Sequence, residues 1–138
     1  MDRSRVRGLL IWGMSAALGL GSGAACSDPP GVGDCSGNVD LEVAEGGTPA
    51  FSWSPPCEVS SLAVFDAGGD VYWALNTGVG RNALFPTIHY GQLPANGIEE
   101  TAPRPLQGGY GYTVRVFLLD HEDDQLVSRL AGEAFFRH

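Results

Sequence analysis

The chain has 138 residues, carries 8 Arg and no Lys against 16 Asp and Glu for a formal net charge of −8, and contains three Cys. That length suits one domain with a modest core, and that charge excludes a surface built to grip nucleic acid phosphates. Three cysteines cannot all pair within one chain, so one is left for another use.

The chain opens "MDRSRVRGLLIWGMSAALGLGSGAAC". Arg3, Arg5 and Arg7 form a positive leader, Gly8 to Leu20 is an uncharged, largely apolar run, and small residues close it at Ala24-Ala25. This is the layout of an export signal over residues 1–25, removed from the mature chain. A membrane-spanning helix needs about 20 apolar residues, and here the apolar character fades into Gly and Ser sooner. Gly23, Ala24, Ala25 and Cys26 resemble the lipobox of bacterial lipoproteins, with Gly23 standing where Leu is usual. The resemblance implies cleavage before Cys26 and acyl chains, palmitate among them, on its sulfur and new amino group. It also implies a bacterial cell envelope location, with Ser27 after the Cys permitting delivery to the outer membrane. Several acyl chains hold firmly where one alone is marginal. The alternative is a secreted or periplasmic protein cut near Ala25, with Cys26 left as a thiol or disulfide partner. Cleavage leaves five Arg against fifteen Asp and Glu, a formal charge of −10 on 113 residues. Such a surface repels anionic lipid headgroups and favours solubility.

Residues 26–38 continue as "CSDPPGVGDCSGN", too rich in Pro, Gly, Ser and Asp to bury much, and read as a tether. The domain proper spans 39–138, where apolar residues recur with period two. Val39, Leu41 and Val43 alternate with Asp40 and Glu42, then "EGGT" marks a turn, then Pro49, Phe51 and Trp53 alternate with Ala50 and Ser52. A hairpin folded about Gly46 pairs Val43 with Pro49, Leu41 with Phe51 and Val39 with Trp53, putting the apolar side chains on one face. The same register sets Cys35 opposite Cys57, within reach of a disulfide, which an exported protein can form. Two free thiols, or a metal site, are the alternatives.

A second hairpin joins "SSLAVFDA" to "DVYWALN" through a two-residue turn at Gly68-Gly69. Its register pairs Leu62 with Leu75 and Val64 with Trp73 toward the core, and Phe65 with Tyr72 on the opposite face. Ile88 and Tyr90 suit a short strand. Residues 91–109 form a long Pro/Gly connection, a length that is either functional or floppy. "GYGYTVRVFLLD" is the clearest strand, with Tyr112, Val114, Val116 and Leu118 on one face. "DHEDDQ" is an acidic turn, and "LVSRLAGEAFFRH" completes a last hairpin with Gly132 marking a bulge or change of face. No amphipathic helix and no internal repeat is visible.

About seven short strands with turns between them predict an all-β, two-sheet antiparallel sandwich. "FSWSPP" (Phe51 to Pro56) and "LQGGYGYTVRV" (Leu106 to Val116) resemble motifs of the fibronectin type III family, within the immunoglobulin-like sandwiches. The resemblance covers roughly residues 39–136. It implies that Tyr112 is a tyrosine-corner residue, its hydroxyl bonded to the preceding loop and Leu106 packed beneath it. The Cys pair and the long loop before Leu106 depart from the family's pattern.

Chemistry-bearing patterns are sparse. There is no G-x-S-x-G motif, no phosphate-cradling glycine pattern, and no zinc spacing among His89, His121 and His138. His121, Glu122, Asp123 and Asp124 lack the alternating ligands of a calcium loop and suit a solvated hairpin tip. No catalytic residue, metal site or cofactor is expected. Phe65, Tyr72, Tyr90 and Tyr110 are the candidates for an aromatic contact surface, with the 91–109 loop beside them. The expected function is a membrane-tethered, non-catalytic interaction or structural module with a protein or glycan partner. The alternative is a small carbohydrate- or metal-dependent loop site on a secreted domain, including a weak possibility of an enzyme.

Overall fold

A computed structural model describes residues 33–78 and 80–138. They form two antiparallel sheets that enclose one core, an all-β sandwich of eight strands. The strands are β1 (Asp40–Ala44), β2 (Ala50–Ser54), β3 (Ser61–Asp66), β4 (Val71–Asn76), β5 (Ile88–His89), β6 (Ile98–Thr101), β7 (Gly111–Glu122) and β8 (Gln125–Arg137). One sheet has the order β1-β2-β5, the other β6-β4-β3-β7-β8. There is no helix among the described residues, so none is long and apolar enough to cross a membrane.

The period-two pattern decides which side chains face inward. Phe51 and Trp53 of β2, Leu62 and Val64 of β3, and Tyr112, Val114, Val116 and Leu118 of β7 are all buried. Removing a side chain of this size from water contributes about 1.5–3 kcal/mol. An aromatic column then ties sheet to sheet. Phe51 meets Phe136 with ring centroids 5.7 Å apart, Phe136 stacks on Tyr112 at 5.6 Å, and Tyr112 meets the edge of Tyr72 at 5.1 Å.

The first hairpin differs from its expected register by two residues. Leu41 pairs with Trp53 and Val43 with Phe51, around a five-residue loop from Glu45 to Pro49. A slip of two keeps every side chain on its face, so apolar patterning cannot detect it. The deciding contact is distant: the Val39 backbone N–H donates to the Ala131 carbonyl of β8 at 2.8 Å, which takes Val39 away from β2. Cys35 and Cys57 are nonetheless bridged, with Cα atoms 5.0 Å apart. They are held by a parallel bridge between Asp34 and Glu58, not by the antiparallel ladder that the sequence suggested.

In the second hairpin, Leu62 pairs with Leu75 and Val64 with Trp73 as expected. The turn carries three residues, not two. The Asp66 N–H donates to the Asp70 carbonyl, the Asp66 carbonyl accepts the Gly69 N–H, its carboxylate accepts the N–H of Gly68 and Asp70, and Gly69 has a φ of 89°. This is a type I turn closed by a left-handed glycine, which adds one residue to the second strand. Phe65 therefore pairs with Val71, and Tyr72 becomes the bulged residue, turned onto the core and away from Phe65.

The 91–109 connection also differs from expectation, because it contains β6, which pairs with the edge of β4. Glu99 and Glu100 on this short edge strand discourage association with another chain. The β7–β8 hairpin turns at Asp123 and Asp124, with φ values of 48° and 63°, a conformation that Asp tolerates. Its ladder slips between Val116 and Phe117, leaving Ala131 as the extra residue of β8. The expected irregularity at Gly132 is this bulge.

Candidate functional site

Each aromatic candidate is positioned by a different part of the fold. Tyr112 is buried, and its hydroxyl accepts the backbone N–H of Gln107 at 2.8 Å. Leu106 packs against the core. Tyr90 donates its hydroxyl to the Arg104 carbonyl at 2.8 Å, and the Arg104 N–H donates to the Tyr72 carbonyl at 3.0 Å. The Arg104 guanidinium lies 5.4 Å from the centre of the Tyr72 ring. Tyr72, Tyr90 and Tyr112 thus strap residues 104–107 across one end of the sandwich. Burial, the largest cause, pushes the Tyr90 hydroxyl up to about 12, and desolvation also raises that of Tyr72.

These contacts occupy two of the tyrosines that the sequence offered as a contact surface, Tyr72 and Tyr90. Tyr72 and Tyr90 are half-buried and packed against the core. Phe65 is half-buried on the outer face of the five-stranded sheet, with the Arg115 guanidinium 5.1 Å from its ring centre. Tyr110 is the exposed member of the four, at 61%. A cleft of about 200 Å³ sits at the strapped end, lined by Thr48, Pro49, Tyr90, Pro105, Leu106 and His138, with Gly47 at its margin. His138 supplies its one imidazole.

His89 lies on β5 of the three-stranded sheet, while His121 lies near the tip of β7 in the other sheet. Glu122, Asp123 and Asp124 stay with His121 at that tip, all exposed. Among the described residues no group of three or more His, Cys, Asp and Glu converges as a metal site would require. The Cys35–Cys57 disulfide is buried on both sides, at 8% and 7% exposure. The Trp53 indole donates to the Cys57 carbonyl at 2.8 Å and fixes the loop that carries it. Cys26 and residues 1–25, the expected export signal, lie outside the described residues.

Two features were not singled out from sequence. β3 stops pairing with β7 at Ser61–Phe117, yet β7 and β8 continue as a two-stranded arm to Glu122 and Gln125. Beyond β3, the Asn82 carboxamide takes the place of a strand: it donates to the Leu119 carbonyl and accepts the Leu119 N–H, both at 2.9 Å. On the outer face of that arm, Leu126 and Leu130 are 40% and 46% exposed, beside half-buried Phe117 and Leu119. The alternation of Leu126, Ser128 and Leu130 was visible in the sequence. That this face lies open depends on where β3 ends, which no local pattern states.

No protein-family model, no curated protein and no solved structure matches this chain.

Proposed function

We propose that this protein is a non-catalytic module of the bacterial cell envelope, tethered to a membrane through acyl chains on Cys26 and presenting a β-sandwich to another protein. The observation that carries this reading is the buried Cys35–Cys57 disulfide, which suits an oxidising, extracytoplasmic compartment. It also accounts for the odd cysteine, since pairing Cys35 with Cys57 leaves Cys26 for lipid. The bridge pins the chain nine residues after Cys26, so a tether drawn fully straight reaches about 30 Å at most. The Tyr112–Gln107 bond, with Leu106 packed on the core, supports kinship with the fibronectin type III sandwiches. That kinship bears on fold and carries no reaction with it.

The test is intact mass spectrometry of the protein purified from its native membranes. The expected mass is that of residues 26–138 plus acyl groups, with no thiol open to alkylation until a reductant is added. Cys26→Ser is expected to move the protein out of the membrane fraction. A mature mass without acyl groups, or a Cys26→Ser protein that stays in the membrane, overturns the anchor.

A further inference from the structure

We infer that the outer face of the β7–β8 arm is a docking surface for a membrane-resident protein that offers an apolar groove rimmed by Lys or Arg, a reading that rests on the tether proposed above. The face is contiguous by register: Leu130 pairs with Phe117, Ser128 with Leu119, and Leu126 with His121. Leu126 and Leu130 are exposed at 40% and 46%, and no element of the described residues hydrogen-bonds beyond β8 except β1 at its bulge. Contiguous exposed apolar surface rimmed by polar residues is a mark of a protein contact site. The arm is also held ready, because the Asn82 carboxamide fixes Leu119 from the open side. A strand pair fixed before contact loses less freedom on binding.

Charge selects the occupant. The stripe ends at Glu122, Asp123 and Asp124, all exposed on the hairpin tip. Two copies, each with a formal charge of −10 over residues 26–138, would repel one another, and an anionic lipid surface would be repelled likewise. A cationic rim is complementary and speeds encounter. Position selects the setting. Arg129 at the root of the arm donates to the Asn38 side chain at 3.3 Å, so the arm springs from the end where the tether enters. On a tether of about 30 Å, that end stays close to the membrane.

The test is photo-crosslinking with the full chain, held in zwitterionic nanodiscs when its mass shows acyl groups and free in solution when it does not. The probe is a peptide of alternating Leu and Lys. Ser128→p-benzoylphenylalanine is expected to crosslink at least tenfold more than the same substitution at Asp70 on the opposite end. The yield is expected to fall at least tenfold with a Ser–Lys peptide of equal charge, and likewise in a Leu126→Ser/Leu130→Ser chain with unchanged thermal midpoint. Equal yields with both peptides, equal yields at Asp70, a crosslinked dimer of the chain itself, or arm-dependent binding to anionic vesicles each overturn the inference. The intact mass is read on the same sample, so loss of the tether and loss of the docking face are separate outcomes.

Discussion

Val39 and Ala131 join the two sheets: the Val39 N–H meets the Ala131 carbonyl at 2.8 Å, the bulged residue of β8 facing the start of β1. The neighbour Gly132 permits this approach. A Cβ added there would lie 2.9 Å from the Val39 carbonyl oxygen and 2.8 Å from its Cγ2. Gly132→Ala is therefore expected to force the strands apart and to cost about 1–3 kcal/mol in chemical denaturation. Gly46→Ala, which meets nothing within 4 Å, serves as the control. Equal midpoints for the two variants would contradict this account of the seam.

The Cys35–Cys57 bridge closes a loop of 22 residues. Replacing both by Ser is expected to lower stability by about 3 kcal/mol through the freedom restored to the unfolded chain. The fold should survive with its β-sheet circular dichroism intact, since the bridge lies outside the strand ladders. A loss below about 1 kcal/mol would place the main constraint elsewhere.

Two buried tryptophans should respond differently to the same substitution. The Trp53 indole N–H has a partner in the Cys57 carbonyl, while that of Trp73 is buried with none. Trp53→Phe leaves a carbonyl unmet and is expected to cost about 1–3 kcal/mol beyond the lost volume. Trp73→Phe removes an unsatisfied donor, so the relief offsets part of its volume loss. Thermal midpoints of the pair check the order, and a larger drop for Trp73→Phe would refute it.

Tyr90 predicts behaviour in alkali. Its hydroxyl is held up to about 12, chiefly by burial, against an ordinary value of about 10. The unfolded chain loses this proton first, so the native advantage is complete below about pH 10 and disappears as pH rises toward 12. Denaturation midpoints are expected to fall over that window, and less steeply in Tyr90→Phe. An identical slope in both proteins would show that another group governs the loss.

Asn82 gives the arm its support. Asn82→Ala removes both hydrogen bonds to Leu119. Amide exchange at Leu119 is expected to speed up at least tenfold while exchange at Val114, paired on both sides by β3 and β8, stays as it was. Unchanged exchange at Leu119 would mean the arm needs no such brace.

Local sequence was enough for the all-β class, the inward faces of β2, β3 and β7 and the second hairpin's inner pairs; it also joined Cys35 to Cys57, but through a hairpin register two residues from the observed one. Strand periodicity and turn residues are local, and the class, the faces and the inner pairs follow from alternation and glycine placement. Tertiary structure decided what local patterns leave degenerate. A two-residue slip in the first hairpin preserves every face, so alternation leaves both registers open, and the observed one is that in which Val39 bonds Ala131 of the other sheet. One additional turn residue before Asp70 moved Tyr72 from the outer face to the core. The open stripe on the arm exists because β3 ends before β7 does, a mismatch of strand lengths set when the sheet assembles.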